Sequence, residues 1–279
     1  MNEKNKNLAL RALSAVVLLP VVLFLLYKGG LYTVVLIGVA SALVASELYG
    51  IAGLKLSHPA AIAGMLGAAS MGYFASDLQG RWPGALAVLA FAPLLSMGLL
   101  TLLPPDGDLK KAAALGPVAA LGPPYAGLCL AAIAGLREMP DGHGFEWIFV
   151  ALTVTWGNDT GAYAAGRLFG KHKLYPQVSP AKTWEGFWGG MVAAVALLLG
   201  VHFAFFPELR PMDAVLLGVV GSVLGPVGDL AESMLKRAHG AKDSGTLLPG
   251  HGGFYDRVDA LLFNAPWVLA YALYIQALI

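Results

Sequence analysis

The chain has 279 residues, of which 57% are hydrophobic and 13% charged, against roughly 45–50% and about 25% in an ordinary soluble domain. So few polar residues cannot cover a water-soluble protein of this length, which excludes a soluble enzyme, a disordered chain and a nucleic-acid binder with a basic face. Eighteen basic and 17 acidic residues leave a net charge of +1, which selects no partner, and the single cysteine, Cys129, cannot form an internal disulfide.

Runs of about 20 largely apolar residues, the length needed to cross a bilayer, follow in chain order at 9–27, 31–53, 60–76, 83–103, 113–135, 146–166, 186–206, 213–235 and 260–278. The sequence predicts an all-α polytopic membrane protein with about nine transmembrane helices. The first run follows Lys4, Lys6 and Arg11, as a signal peptide would. It is nearly a full span long and ends in Leu26-Tyr27-Lys28 without a small-residue cleavage site, so it is read as a helix. Nine spans put 14 of the basic residues on one side and only Lys28, Arg81, Arg137 and Arg210 on the other. The positive-inside rule then places the N-terminus and both long polar loops in the cytoplasm. Pro20, Pro93, Pro117, Pro123 and Pro124 are expected to kink or break their helices. Glu47 is an ionisable group well inside the second span, a costly position that points to function or to a structural partner.

Residues 1–145, about five spans, otherwise carry little chemistry; the polar content lies in 146–279, a catalytic region with two cytoplasmic motif loops. Its first cluster is Trp156-Gly157-Asn158-Asp159-Thr160-Gly161-Ala162-Tyr163, followed by Arg167, Lys171, Lys173 and Ser179-Pro180-Ala181-Lys182-Thr183-Trp184-Glu185-Gly186. Asp159, Tyr163 and Arg167 are spaced to share one helix face. A carboxylate there needs a cation, either Arg167 or a metal. Arg167, Lys171, Lys173 and Lys182 are cations placed where polyphosphate or lipid headgroups arrive, or else simple positive-inside anchors. Gly166-x-x-x-Gly170-Lys171 is one residue short of a phosphate loop and follows a membrane helix. Ser179-Pro180 reads as a helix N-cap with proline in the first turn.

The second cluster holds Asp229, Glu232, Ser233, Lys236 and Arg237, then Lys242-Asp243-Ser244-Gly245, then Pro249-Gly250-His251-Gly252-Gly253-Phe254-Tyr255-Asp256-Arg257-Val258-Asp259. At about 100° per helical residue, Asp229, Glu232, Ser233 and Lys236 fall within an arc of ~100°. Asp256 and Asp259, three residues apart, also face one way. Two such carboxylate pairs are hard oxygen donors suited to Mg2+. Gly250, Gly252 and Gly253 let backbone approach a ligand closely. His251 reads equally as an acid–base group, a headgroup contact or a loop residue, and Asp256 as a helix cap.

Together these residues resemble the phosphatidate cytidylyltransferase (CDP-diacylglycerol synthase) family. Its C-terminal pattern S-x-x-K-R-x(4)-K-D-x-G-x(2)-L-P-G-H-G-G-x-x-D-R-x-D runs unbroken from Ser233 to Asp259. The stretches Asp159-Thr-Gly-Ala-Tyr163 and Ser179-Pro-x-Lys182-Thr183-Trp-Glu185-Gly186 are similar to the family's too. The resemblance covers about residues 150–260. It implies the reaction of CTP with phosphatidic acid to give CDP-diacylglycerol and pyrophosphate, with Mg2+ required and a second cation compatible. It implies metal ligation by Asp229, Asp256, Asp259 and Asp159. Lys236, Arg237, Lys242 and Arg257 would bind the triphosphate, and Lys171, Lys173 and Lys182 the lipid phosphate or CTP. His251 and the glycines would form the nucleotide loop, with Glu232 and Asp243 orienting the cations. The expected partners are CTP, phosphatidic acid and the bilayer, with no nucleic acid; a homodimer is compatible. A bacterial plasma membrane with the site facing the cytoplasm is expected. The rivals are a CTP-dependent enzyme with another lipid acceptor, and a secondary transporter, which usually shows paired halves and a midplane site.

Overall fold

A computed structural model of the chain describes residues 3–77, 80–247 and 252–278. Each of the nine apolar runs is helical. In chain order the helices are α1 (Glu3–Lys28), α2 (Gly30–Ala52), α3 (Pro59–Ala75), α4 (Trp82–Leu102), α5 (Leu109–Gly122), α6 (Cys129–Arg137), α7 (Gly144–Phe169), α8 (Trp184–Ala204), α9 (Pro211–Ala238), α10 (Tyr255–Val258) and α11 (Leu261–Leu278). Among the described residues, five segments are long and apolar enough to cross a membrane: Gly30–Ala52, Trp82–Leu102, Leu109–Arg137, Trp184–Ala204 and Pro211–Ala238. The chain is thus a helical membrane protein. Its one departure from all-α among the described residues is a short antiparallel hairpin, β1 (Lys173–Tyr175) and β2 (Ser179–Thr183), with Lys173 opposite Thr183 and Tyr175 opposite Ser179.

Two compact units divide the chain, and the division is not a single cut. One comprises Met1–Glu138 with His239–Arg257; the other comprises Met139–Ala238 with Val258–Ile279. The loop from His239 to Arg257 thus belongs with the first six helices rather than with its sequence neighbours.

In the first unit, polar groups tie the helices at their ends. Arg137, at the end of α6, donates from Nε to the Leu26 carbonyl (2.8 Å) and from Nη2 to that of Tyr27 (2.9 Å). It thereby satisfies carbonyls that the C-terminus of α1 leaves open. Tyr49 on α2 is fully buried and donates its hydroxyl to the Ala119 carbonyl at 3.0 Å. Gly64 and Gly122 flank that ring so closely that a Cβ at either would collide with the phenol oxygen. Asp108 caps α5, accepting from the amides of Lys110 and Lys111. The helices run on through Pro20, Pro93 and Pro117. Only the Pro123-Pro124 pair coincides with a change of winding, the π-helical turn Pro123–Leu128 between α5 and α6. Two successive residues without an amide proton cannot keep the α-helical ladder, and a wider turn results.

The second unit is built on α7 and α8. A Cβ on Gly161 of α7 would meet the Ala193 methyl and lie 2.9 Å from the Gly189 carbonyl. One on Gly186 of α8 would lie 2.9 Å from the Ala162 carbonyl, and one on Gly189 would strike the Ala165 methyl. Small residues at intervals of three and four let two backbones pack where lipid offers no hydrophobic drive to association. The expectation that Ser179-Pro180 opens a helix is corrected by the structure: both lie in β2. Thr183 caps α8, its hydroxyl accepting from the Gly186 amide at 3.1 Å. Pro180 has no proton to give a ladder but is tolerated in a two-stranded edge. Glu185 then ties the hairpin to the helix, accepting from the amides of Lys171 (3.1 Å) and His172 (3.2 Å) and pairing with His172 Nδ1 at 2.6 Å.

Replacing Gly189 with leucine should lower the thermal stability of the detergent-solubilised protein, by about 1–3 kcal/mol or more from overpacking. Gly200→Leu, on the same helix but with open space around its Cβ position, should be close to neutral. Equal melting temperatures for the two variants would refute the close-packed α7–α8 seam.

Candidate functional site

The polar side chains of the second unit converge on an open cavity of about 430 Å3. Asp159, Tyr163 and Arg167 reach it from α7, Lys182 from β2, Phe187 from α8 and Asp229 from α9. Their convergence follows from the elements below them. The glycine seam holds α7 against α8, the hairpin delivers Lys182 one residue before the α8 cap, and successive turns of α7 carry Asp159, Tyr163 and Arg167 on one face. Arg167 does not pair with Asp159; its Nη1 donates to the Tyr163 hydroxyl at 3.1 Å. The cation of the carboxylates is Lys182, whose Nζ lies 2.8 Å from Asp229 Oδ2 and 3.4 Å from the Pro226 carbonyl. Ser233, one turn on, donates to Asp229 Oδ1 at 3.3 Å.

Asp259, just before α11, joins this group. Gly228 is the reason it can: a Cβ there would stand 2.5 Å from the Asp259 carbonyl oxygen. Burial, with the charges of Asp229 and Asp159 adding, pushes the Asp259 carboxyl up to about 7. Among the described residues, Lys182 pairs with Asp229 alone of the three aspartates, and the cluster is short of positive charge. Among the described residues, no three His, Cys, Asp or Glu side chains are already gathered closely enough to hold a metal. Donor type and charge nevertheless fit a hard divalent cation: carboxylate oxygens only, with an excess of negative charge. Glu232 and Lys236, farther along α9, are buried and joined at 2.7 Å; each supplies the counter-charge the other needs. Lys171, Lys173 and Arg237 are exposed, Ser179 is half-buried, and Thr183 is the buried α8 cap.

The remaining site residues belong to the first unit, where the order comes from Glu47. Its Oε1 accepts from the Phe254 amide (2.9 Å), and its Oε2 accepts from the Tyr255 amide (2.7 Å) and lies 2.9 Å from Ser244 Oγ. Asp256 lies in the first turn of α10. Its Oδ2 accepts from the amides of Ser244 and Gly253, both at 3.0 Å, and also lies 2.9 Å from Ser244 Oγ. The two carboxylates thereby hold Ser244, Gly253, Phe254 and Tyr255 through their backbone amides or hydroxyl. Gly245 and Gly253 are small for a stated reason: a Cβ at either would sit 2.6 Å from a Glu47 carboxylate oxygen. Gly252 takes a left-handed φ of +83°, where side chains are strained. Tyr255 is buried and shares a 2.8 Å hydrogen bond with Tyr125. Lys242, Asp243 and Arg257 are exposed; Gly250 and His251 lie outside the described residues.

Sequence reasoning marked Glu47 as anomalous but could not find its partners, which lie about 200 positions away. It passed over Ser244, which occupies a variable position of the motif.

The chain matches the profile of the cytidylyltransferase family over residues 9–275. It is 44% identical over 147 residues to the phosphatidate cytidylyltransferase of Bacillus subtilis (strain 168), an alignment covering 52% of this chain and 53% of that protein. It is 46% identical over 123 residues to the enzyme so named from Staphylococcus haemolyticus, covering 44% and 47%. In these two matches the chain spans about half the length of its relative. With the phosphatidate cytidylyltransferase of Staphylococcus aureus (strain COL) it is 32% identical over 265 residues, 92% of this chain and 95% of that protein.

Glu47→Ala should loosen the motif loop. A hydrogen bond to a charged group contributes about 1.5–3 kcal/mol, so trypsin cleavage after Lys242 should accelerate roughly tenfold or more in detergent, with cleavage elsewhere unchanged. An unaltered cleavage rate would show that Glu47 does not hold the loop.

Proposed function

The chain belongs to the cytidylyltransferase family, and on that premise we propose that it is a phosphatidate cytidylyltransferase, joining CTP and phosphatidic acid into CDP-diacylglycerol with release of pyrophosphate. The observation that carries the proposal is the cavity lined by Asp159 and Asp229, the latter paired with Lys182, beside Arg167 and Tyr163, with Asp259 within electrostatic reach of both aspartates. It offers cations to phosphates and an excess of carboxylate to a divalent ion, and no activated nucleophile of its own.

None is required. A phosphomonoester is close to a dianion at neutral pH, its second pKa being about 6, so the lipid phosphate itself attacks the α-phosphorus of CTP. The barrier the protein must lower is the approach of two anions and the departure of a third. Mg2+, held by Asp159, Asp229 and Asp259, would neutralise charge on the triphosphate. Lys182 orients Asp229 and offers its remaining protons to a phosphate oxygen. Arg167, steadied by the Tyr163 hydroxyl, presents a planar fork suited to a phosphate. Lys171 and Lys173 raise the local concentration of anionic headgroups at the cavity mouth. The motif loop that Asp256 shapes bears two further exposed cations, Lys242 and Arg257, of the kind that bind phosphate.

We further read all nine helical runs as membrane spans, with the N-terminus and both motif loops in the cytoplasm of a bacterium. The excess of basic residues on one side supports this topology. A lipid substrate and an aqueous nucleotide then meet at one interface, which accounts for an enzyme embedded in a membrane.

The test is pyrophosphate release by purified, detergent-solubilised protein given CTP, Mg2+ and phosphatidic acid, each omitted in turn and ATP substituted for CTP. Release that needs all three, with CDP-diacylglycerol as the lipid product, is expected; release with another lipid acceptor alone would replace the proposed substrate. Removing a transition-state charge partner typically costs about 10²–10³ in rate, and Asp229→Asn and Asp259→Asn should each lose at least that much while remaining inserted. The two aspartate classes should also separate. Asp259→Asn is expected to leave tryptic cleavage after Lys242 unchanged, whereas Asp256→Asn should lose activity and expose the loop together. Either Asp229→Asn or Asp259→Asn retaining near-normal turnover would remove that residue from the site.

A further inference from the structure

The first unit carries a second built feature that the proposed reaction does not use. Between α3 and α4 runs an apolar groove of about 1060 Å3, walled by Ile62 and Leu66 on one side and Phe91 and Leu95 on the other. Its walls are unpartnered, with Leu66 67% and Phe91 69% exposed. Two glycines shape it. At Gly67 the helices close up, since a Cβ there would lie 2.7 Å from the Ala92 methyl. At Gly98 nothing stands within 4 Å of the Cβ position, and the groove stays open. From Ala87 to Leu102 the α4 wall rises about 22 Å, more than the ~15 Å depth of one leaflet's hydrocarbon.

At its end the groove meets a polar hollow of about 530 Å3 whose lining includes Lys55, His58 and Lys111. Pro59 and Leu102 line both, so the two are continuous. The hollow is held in shape. His58 Nδ1 accepts from the Ala60 amide, and its Nε2 lies 2.7 Å from the Leu103 carbonyl, fastening the start of α3 to the end of α4. Lys55 and Lys111 both point at Asp106, at 3.3 and 2.7 Å. Asp106 takes a left-handed φ of +56° in the turn before α5, a strained conformation for a residue with a side chain. Two ammoniums on one carboxylate leave a surplus positive charge beside the N-terminus of α3, the positive end of that helix's dipole.

We propose that this groove binds one anionic phospholipid, an acyl chain lying between α3 and α4 and the headgroup phosphate resting against Lys55 and Lys111. A neutral lipid would fill the groove but leave the surplus charge unanswered. A helix from a second copy would fill the groove and bring no phosphate. The site is independent of the cytidylyl-transfer reading, since it uses none of the residues assigned to that reaction.

The experiment is photo-crosslinking in nanodiscs with phosphatidylglycerol bearing a diazirine in one acyl chain, against phosphatidylcholine with the same tail, followed by mapping of the labelled peptides. Phosphatidylglycerol should label α3 and α4 several-fold more than phosphatidylcholine. A basic residue near a membrane surface raises the local anionic lipid by about fivefold. Lys55→Ala/Lys111→Ala should erase that preference without changing pyrophosphate release. Gly98→Phe should cut labelling of this groove by both lipids. Equal labelling by the two lipids in the wild-type protein, labelling that bypasses α3 and α4, or a preference that survives loss of both lysines would each overturn the proposal, as would crosslinks from the groove to a second protein copy in place of lipid.

Discussion

A carboxylate among membrane helices has little water to solvate it, and the cost of leaving it unanswered is several kilocalories per mole. The polar architecture of this chain is a set of answers to that cost. Asp229 is answered by the Lys182 ammonium, and Glu232 by Lys236. Glu47 and Asp256 are answered by the backbone amides of the loop between Ser244 and Tyr255. The amide solution ties Ser244, Phe254 and Tyr255 to Glu47 on α2. The ammonium solution at Asp229 leaves the carboxylates facing a cavity. Asp159, Asp229 and Asp259, with one ammonium among them, are the group whose charge remains open, and that is the chemistry a cation-dependent phosphate reaction needs.

The second constraint is distance. Side chains as short as aspartate can meet across helices only if the backbones come close. Gly161, Gly186 and Gly189 set the α7–α8 approach and Gly228 sets that of α9 on Asp259; Gly245 and Gly253 let the motif loop lie on Glu47. Glycine therefore does two different jobs in the motif regions. On helices it brings aspartates within electrostatic reach of one another. In the loop it gives the Glu47 carboxylate room to reach backbone amides.

Much of this was legible in the sequence. The apolar runs are helical among the described residues, five segments being long and apolar enough to span, because hydropathy acts locally and no tertiary contact is needed to make a long apolar run helical in lipid. The polar stripe on α9 was legible too, since helical periodicity puts Asp229, Ser233 and Lys236 on one face. Ser179-Pro180 misled because a serine before a proline is as compatible with an edge strand as with a helix start. The choice lay with Thr183 and Glu185, four and six residues on. For Asp159 the spacing left Arg167 and a metal open as partners, and it could not show that a lysine from the hairpin would pair with Asp229 beside it.

What the sequence by itself determined is the class of the protein, the placement of its helices and the kind of chemistry it can do, because composition, periodicity and an unbroken motif are local properties of the chain. What only the tertiary structure decided is which charges meet. Glu47 finds Ser244 and Tyr255, Lys182 finds Asp229, and the His239–Arg257 loop joins the first six helices instead of the ones beside it in sequence. Those pairings depend on the distance between backbones and on which carboxylate finds an amide or an ammonium first, and no spacing along the chain encodes either.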